Sequence, residues 1–454
     1  MSTRQHTEVL GTMGIGRLFA RLAIPSSIAL FVSATYNLVD TIFVGRGVGT
    51  DAIGGLTLVF PFQMVVMAFG NLVGIGAASI ISRALGARDF ERARHAAGTA
   101  VTMALGLGVL MTLLGSSFST GLARILGATG ALSAPTLQYL RVILIGVPLQ
   151  FLNIAANNII RAEGQARVAM LTMVAGMVLN IGLDPVVIFV LGWGIRGAAI
   201  ATVIGHSLTT VLIVIFYVRG RGSVRLQLRD LRPIVSIIRE TVTIGSSGFV
   251  RQTSSSIVHG LRNNLLVVYG GTVFVAAFGV VFRSLLFMAM PAMGIAQALP
   301  TIAGYNYGAG NMDRVRRSVW ISILASTAVN LTGFLIMVLF PQALLRLFSD
   351  DPELIAHGVS IMRVNAVGML AFAAYFTGPS FYQAIGKPLR ALTLALSRPI
   401  LATGLMIVGM RTVGSMGVIA ADPIAVVVGA AIVAIYFRRS FSRRGELGPL
   451  SDKK

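Results

Sequence analysis

Asp40 and Asp184 stand inside stretches that are otherwise almost purely apolar, IALFVSATYNLVDTIFVG and MLTMVAGMVLNIGLDPVVIFVLG. A carboxylate at the centre of a membrane-length apolar segment costs at least about 2.5–3.5 kcal/mol on insertion, so such residues usually handle an ion or a substrate. Ser33, Tyr36, Asn37 and Asp40 recur at three- and four-residue spacing, which lines one face of a helix. Asn180 and Asp184 share a face in the same way, and Pro185 follows at once. A proline there leaves the carbonyl of Ile181 without its usual donor. Carboxylate, amide oxygen and free carbonyl on one face suit a hard cation or a proton. A neighbouring apolar run offers Thr202 and, one turn on, His206, which is read as a packed histidine before a proton relay.

Further polar stripes run through other apolar stretches. Tyr139, Gln150, Asn153 and Asn157 form one; Gln252, Ser255 or Ser256, His259 and Asn263 form another. From these, Tyr139, Asn153, Asn157, Gln252, Ser256 and His259, with Tyr36, Asn37 and Met173, are expected to line a substrate cavity. Methionine adapts to varied ligands, although Asn, Ser and Thr also tie membrane helices together. Pro25 removes a backbone donor, frees the carbonyl of Arg21 and marks a hinge in the first apolar run. In the second half the one acid within an apolar run is Asp422, beside Pro423; Arg251, Arg262 and Arg283 could pair with it or with lipid phosphates.

The elements that carry these residues follow from composition. Of 454 residues, 55% are hydrophobic and 12% charged, with a mean hydropathy of +0.82, whereas soluble domains carry about 25% charged residues. The chain is therefore read as an integral membrane protein. It has no cysteine, hence no disulfide framework and no thiolate metal site. Its first residues lack the pattern of a cleaved signal peptide.

Twelve apolar runs are long enough to cross a bilayer as helices: 18–44, 52–81, 96–118, 135–160, 168–191, 197–218, 241–269, 273–304, 318–340, 354–383, 391–410 and 416–437. The net charge of +21 comes mostly from Lys and Arg in the N-terminus, the even-numbered loops and the C-terminus. That alternation predicts both termini in the cytoplasm and argues against a nucleic-acid partner.

The halves repeat. Gly86-Ala87-Arg88-Asp89 after the second run matches Gly308-Ala309-Gly310-Asn311 after the eighth. Gly164 matches Gly386, and Gly194 and Gly197 match Gly414 and Gly417, at nearly constant offset. Six spans per half, an even number, give parallel repeats related by an axis along the membrane normal, the plan of alternating-access carriers. The expectation is an all-α polytopic protein with two six-helix lobes. An N-lobe spans 1–218, a basic cytoplasmic linker 219–239, and a C-lobe with a cytoplasmic tail 240–454.

Tyr36-Asn37-Leu38-Val39-Asp40-Thr41-Ile42-Phe43-Val44-Gly45 resembles a signature of the MATE (multidrug and toxic compound extrusion) transporters. So do Leu179-Asn180-Ile181-Gly182-Leu183-Asp184-Pro185, Gly197-Ala198-Ala199-Ile200-Ala201-Thr202 and Gly304-Tyr305-Asn306-Tyr307-Gly308-Ala309. The likeness covers nearly the whole chain and is nearest to the DinF-like branch. It implies export of amphipathic, often cationic compounds in exchange for H⁺ or Na⁺, across the cell (inner) membrane; the protein is expected to be a monomer. It also implies ion coupling by Asp40, Asn180, Asp184 and Thr202, which would hold Na⁺ if that is the ion. No cofactor is expected beyond the coupling ion, and the partners are the lipid bilayer and the small-molecule substrate. Another branch of the family uses acids in the second lobe, in its helices 7, 8 and 10, which this chain lacks.

A flippase for lipid-linked oligosaccharide or polysaccharide precursors is the main alternative, because such a substrate is a large anion and Arg251, Arg262 and Arg283 are at hand. An ion channel suits a two-repeat chain less well. An enzyme is not indicated: the sequence has no HExxH, nucleophile elbow or P-loop.

Overall fold

The computed structural model of the chain describes residues 3–442, so the end of the expected cytoplasmic tail lies outside the described residues. Among them the chain is helical, without strands. A short helix, Thr3–Thr12, precedes twelve helices of membrane length. These are α1 (Ile15–Gly47), α2 (Thr50–Gly86), α3 (Phe90–Ser117), α4 (Ser133–Ala162), α5 (Ala166–Pro185), α6 (Gly194–Val218), α7 (235–270), α8 (Val273–Gly308), α9 (Met312–Leu339), α10 (Pro352–Ala384), α11 (Pro388–Val413) and α12 (Ser415–Ser440). Eleven are apolar enough as well as long enough to cross a bilayer. The twelfth, α7, carries Arg251, Gln252, His259, Arg262, Asn263 and Asn264, which lower its hydropathy. α7 and α8 are the arms of one 74-residue element that breaks at Gly271 (φ 74°, ψ 175°), a conformation natural only to glycine.

The internal duplication is written in the backbone. Asp89 caps α3 by accepting from the Arg92 N–H at 2.9 Å; Asn311 caps α9 by accepting from the Arg314 N–H at 3.2 Å. The residues before these caps, Arg88 (φ 60°) and Gly310 (φ 73°), are both left-handed. The same correspondence holds for Gly49 with Gly271, Gly164 with Gly386, and Gly194 with Gly414, all at positive φ.

By packing, the chain divides into two compact units. One comprises residues up to Leu10 with Ile28–Gly245; the other comprises Gly11–Ser27 with the chain from Ser246 onward. The first arm of α1 thus packs with the second unit, and the change of unit falls two residues past Pro25. The helix runs unbroken through Pro25, and Ser26 Oγ donates to the Leu22 carbonyl at 2.9 Å.

In the first unit, α2 meets the start of α7 nearly backbone to backbone. A Cβ on Gly76 would overlap the Thr241 carbonyl, and one on Gly245 the Leu72 carbonyl; small residues permit such approach between membrane helices. The basic segment 219–239 is docked and ordered. Arg94 Nε donates to the buried Asp230 carboxylate at 2.8 Å, and Thr102 Oγ1 donates to the Leu231 carbonyl at 2.6 Å. Arg83 and Arg92 converge on Glu240 at 2.9 and 2.7 Å. Burial works to raise the Glu240 carboxyl, but the two guanidiniums outweigh it and hold the group below its ordinary value.

Glu163, between α4 and α5, is fully buried. Its carboxylate accepts from the Tyr217 hydroxyl at 2.8 Å and the Ser223 N–H at 2.6 Å, fastening the segment that leaves α6. Burial pushes this carboxyl from 4.5 up to about 7, against the lowering effect of those bonds. A raised value in the fold means stability that is full below the ordinary carboxyl value and lost as pH rises through about 7. Glu163→Gln should therefore flatten the decline in thermal unfolding temperature of the detergent-purified protein between about pH 5 and pH 8. An equal decline in the variant would remove Glu163 as its cause.

The second unit is built on an apolar core that includes Leu266, Phe278, Val281, Met337, Ile361, Met362, Met406 and Val418. Here the first arm of α1 lies close against α8: Ser27 Oγ donates to the Pro291 carbonyl at 3.3 Å, and a Cβ on Gly294 would overlap Ser27.

Candidate functional site

Asp40 on α1, Asn180 and Asp184 on α5, and Thr202 on α6 meet inside the first unit. All four are buried, Asp184 completely. Small residues bring their helices together. Gly176 and Gly205 set α5 and α6 so close that a Cβ on either would overlap the backbone of the other. After Pro185 the chain winds as a π-helical turn, Val186–Val190, with the Leu191 N–H donating to the Val186 carbonyl at 2.9 Å. Such wide turns often occur at functional sites. The end of α1 packs on this turn: Phe43 meets Phe189 edge to face at 6.3 Å, and Gly47 leaves room for Ile188 and Phe189.

The polar groups form one network. Asn180 Nδ2 donates to Asp184 Oδ1 at 3.5 Å and to Thr202 Oγ1 at 3.4 Å. Thr202 Oγ1 donates to the Ala198 carbonyl at 3.0 Å. The Asp40 and Asp184 carboxyl groups lie within hydrogen-bonding reach of one another. Two ionised carboxylates at close range repel, and a proton on one of them or a cation beside both would relieve that repulsion. Three buried oxygens, Asp40 Oδ1, Asn180 Oδ1 and Asp184 Oδ2, meet no hydrogen-bond donor. Buried acceptors without donors are costly; a proton shared between the carboxyls would relieve the two aspartates, and a small hard cation could take all three.

The residues expected to line a cavity fall in both units. In the first, Tyr36 and Met173 are half-buried and Asn37 is exposed, with its Nδ2 donating to the Ser33 carbonyl. Tyr139 is buried and its hydroxyl accepts from Gln63 Nε2 at 3.4 Å. Asn153 donates to the His206 carbonyl and accepts from Thr210 Oγ1, both at 2.9 Å, and Asn157 donates to the Ala169 carbonyl at 2.8 Å. These two asparagines tie α4 to α6 and α5. In the second unit Gln252 and His259 are half-buried and Ser256 is exposed; His259 meets Phe282 edge to face at 4.7 Å.

Asp422 on α12 is gripped from α11 by Arg398, whose Nε and NH2 donate to its two oxygens at 3.0 and 2.8 Å. Arg262 NH2 on α7 lies 3.2 Å from Asp422 Oδ1. Of the arginines expected as partners, Arg262 makes the contact and Arg283 is exposed. Arg398, the principal partner, is not singled out by the sequence, because the short link between the runs 391–410 and 416–437 makes them neighbours without fixing which side chains face each other.

Two groups of helices built on one repeat, with buried ionisable residues inside the membrane-length segments, fit the plan of a polytopic membrane transporter. A family model for MatE matches residues 25–186 and 256–408. The chain belongs to this family, the MATE transporters, and has their twelve-helix, two-lobe fold. Among curated proteins it is 25% identical over 405 residues to the multidrug export protein MepA of Staphylococcus haemolyticus (strain JCSC1435), covering 89% of each chain. Among solved structures it resembles an outward-facing multidrug resistance MATE family transporter of the MOP superfamily. That likeness has a TM-score of 0.89 and 29% identity, over 94% of this chain and 96% of the other. A MOP superfamily transporter from Pyrococcus furiosus Vc1 (DSM3638) gives 0.89 and 29%, over 95% and 96%.

Proposed function

We propose that the protein is an efflux antiporter of the cell (inner) membrane, exporting amphipathic, often cationic compounds in exchange for H⁺ or Na⁺ by alternating access. The observation that carries this reading is the set of three donorless oxygens around the Asp40–Asp184 contact. One proton shared by the two carboxyls, or one small cation that also takes the Asn180 oxygen, would relieve them, within a family whose relatives include multidrug export proteins. Asp40 and Asp184 bind the ion, Asn180 orients Asp184, and Thr202 braces Asn180 from α6.

Filling or emptying this site changes the charge beside α1. The response in that helix is a shift about Pro25, close to where α1 passes from one unit to the other. Tyr36, Asn37, Tyr139 and Met173 are proposed to contact substrate, as are Gln252, Ser256 and His259. Both termini lie in the cytoplasm, as the distribution of Lys and Arg requires.

Asp184→Asn should abolish ion-driven transport in proteoliposomes, whichever of a pH or Na⁺ gradient drives the wild type. An unchanged response to that gradient would contradict a site shared with Asp40.

A further inference from the structure

The interior of the second unit carries more positive charge than its acid balances. Arg251 and Arg262 on α7 and Arg398 on α11 form a row about three helical turns long, since the two α7 residues share one helix face. Arg398 is an electrostatic neighbour of both. Asp422 is the acid these arginines meet, and its two oxygens are taken by Arg398 and by the contact with Arg262.

Buried donors are left over. Arg262 is 1% exposed, yet its Nε has no hydrogen-bond acceptor; neither has a covered terminal nitrogen of Arg251. The nearest groups to these guanidiniums include aromatic faces. Arg262 lies 5.3 Å from the centre of the Phe278 ring and Arg251 lies 4.4 Å from that of Phe376. Aromatic faces attract a cation but accept none of the in-plane N–H groups. A planar guanidinium presents those donors as a fork that matches an oxyanion, and an unpaired one is expensive within a bilayer.

We propose that Arg251, Arg262 and Arg398 form a binding site for the oxyanion head of an amphipathic molecule. Its oxygens take the free N–H groups of Arg262 and Arg251, while Phe278, Phe282 and Phe376 offer apolar surface to its tail. Asp422 holds Arg398 and Arg262 in place and, by competing for their donors, limits how tightly the anion binds. The site shares no residue with the aspartate pair, so its failure would leave the ion-coupling reading intact.

The full-length protein in a neutral detergent can be titrated with dodecyl phosphate and, separately, with inorganic phosphate, counting bound molecules by native mass spectrometry. One saturable dodecyl phosphate is expected, half-occupied at a concentration at least about tenfold below that for inorganic phosphate, which corresponds to about 1.4 kcal/mol. Arg262→Gln and Arg251→Gln should each weaken it about tenfold or more, and Asp422→Asn should tighten it. Inorganic phosphate binding as tightly as dodecyl phosphate would overturn the amphipathic occupant in favour of a free anion. Unchanged binding in the arginine variants would overturn the site altogether and leave the guanidiniums as structural partners of Asp422. Arg251→Gln leaves the Asp422 pairs intact, so it decides the question even if Arg262→Gln does not fold.

Discussion

Asp40→Asn is expected to collapse ion-driven accumulation of substrate while the protein still folds and inserts. The side chain keeps its size but can neither gain nor lose a proton, and it offers one weak amide oxygen where a carboxylate stood. One proton moving inward through 100 mV supplies about 2.3 kcal/mol, and one pH unit supplies about 1.36 kcal/mol more. Together they support roughly 400-fold accumulation of a neutral compound, since about 1.4 kcal/mol is tenfold; a monovalent cation exchanged for one proton gains only the pH part. In the variant this ratio should fall to near unity. Folding should survive, because the substitution removes a carboxylate whose Oδ1 has no donor. Substrate uptake into inverted proteoliposomes under an imposed gradient checks the expectation, with thermal unfolding in detergent as the control. Wild-type accumulation by a folded Asp40→Asn protein would sink the assignment.

Arg398→Leu is expected to lower stability by about 3 kcal/mol. The guanidinium makes two bonds to Asp422, and its loss leaves that carboxylate buried with Arg262 alone. Breaking one side of a buried pair generally costs about 3–5 kcal/mol. The low end applies because Arg262 remains and both side chains are partly exposed. Arg398→Lys should restore only part of the loss, since an ammonium cannot reproduce the two-pronged contact. The check is the shift in unfolding free energy in neutral detergent. A loss below about 1 kcal/mol would show that the pair is screened as a surface ion pair would be.

The buried cluster proposed as the ion site was legible in the sequence because its parts are costly or regularly spaced. Asp40 and Asp184 stand out against apolar surroundings, Asn180 precedes Asp184 by one turn, and Pro185 announces the disturbed turn at Val186–Val190. The repeat was legible for a similar reason. Glycines at the loop positions recur at a fixed offset because the backbone there is left-handed in both halves, with Arg88 the exception.

What escaped the sequence is long-range pairing. Nothing in the composition of α11 or α12 shows that Arg398 would reach Asp422, because that contact depends on how two helices cross. Glu163 reads as an ordinary solvated loop acid, yet the chain beyond α6 folds over it and buries it. The basic segment 219–239 reads as a tether. It is docked because Asp230 and Glu240, two acids among many arginines, find Arg94, Arg83 and Arg92 on α2 and α3. The asparagines Asn153 and Asn157 show the opposite limit, since their spacing marks a stripe but their amides serve contacts between helices.

The central claim is that one cation bound at Asp40 and Asp184 drives export. It is tested most directly by measuring ion movement triggered by substrate. Proteoliposomes holding the wild-type protein should be given substrate under separate pH and Na⁺ gradients, with internal pH and Na⁺ followed together. The account predicts that substrate sets off a saturable counterflow of one of the two ions, and that this flow disappears in Asp40→Asn. Substrate movement without flux of either ion, or an undiminished counterflow in Asp40→Asn, would contradict it.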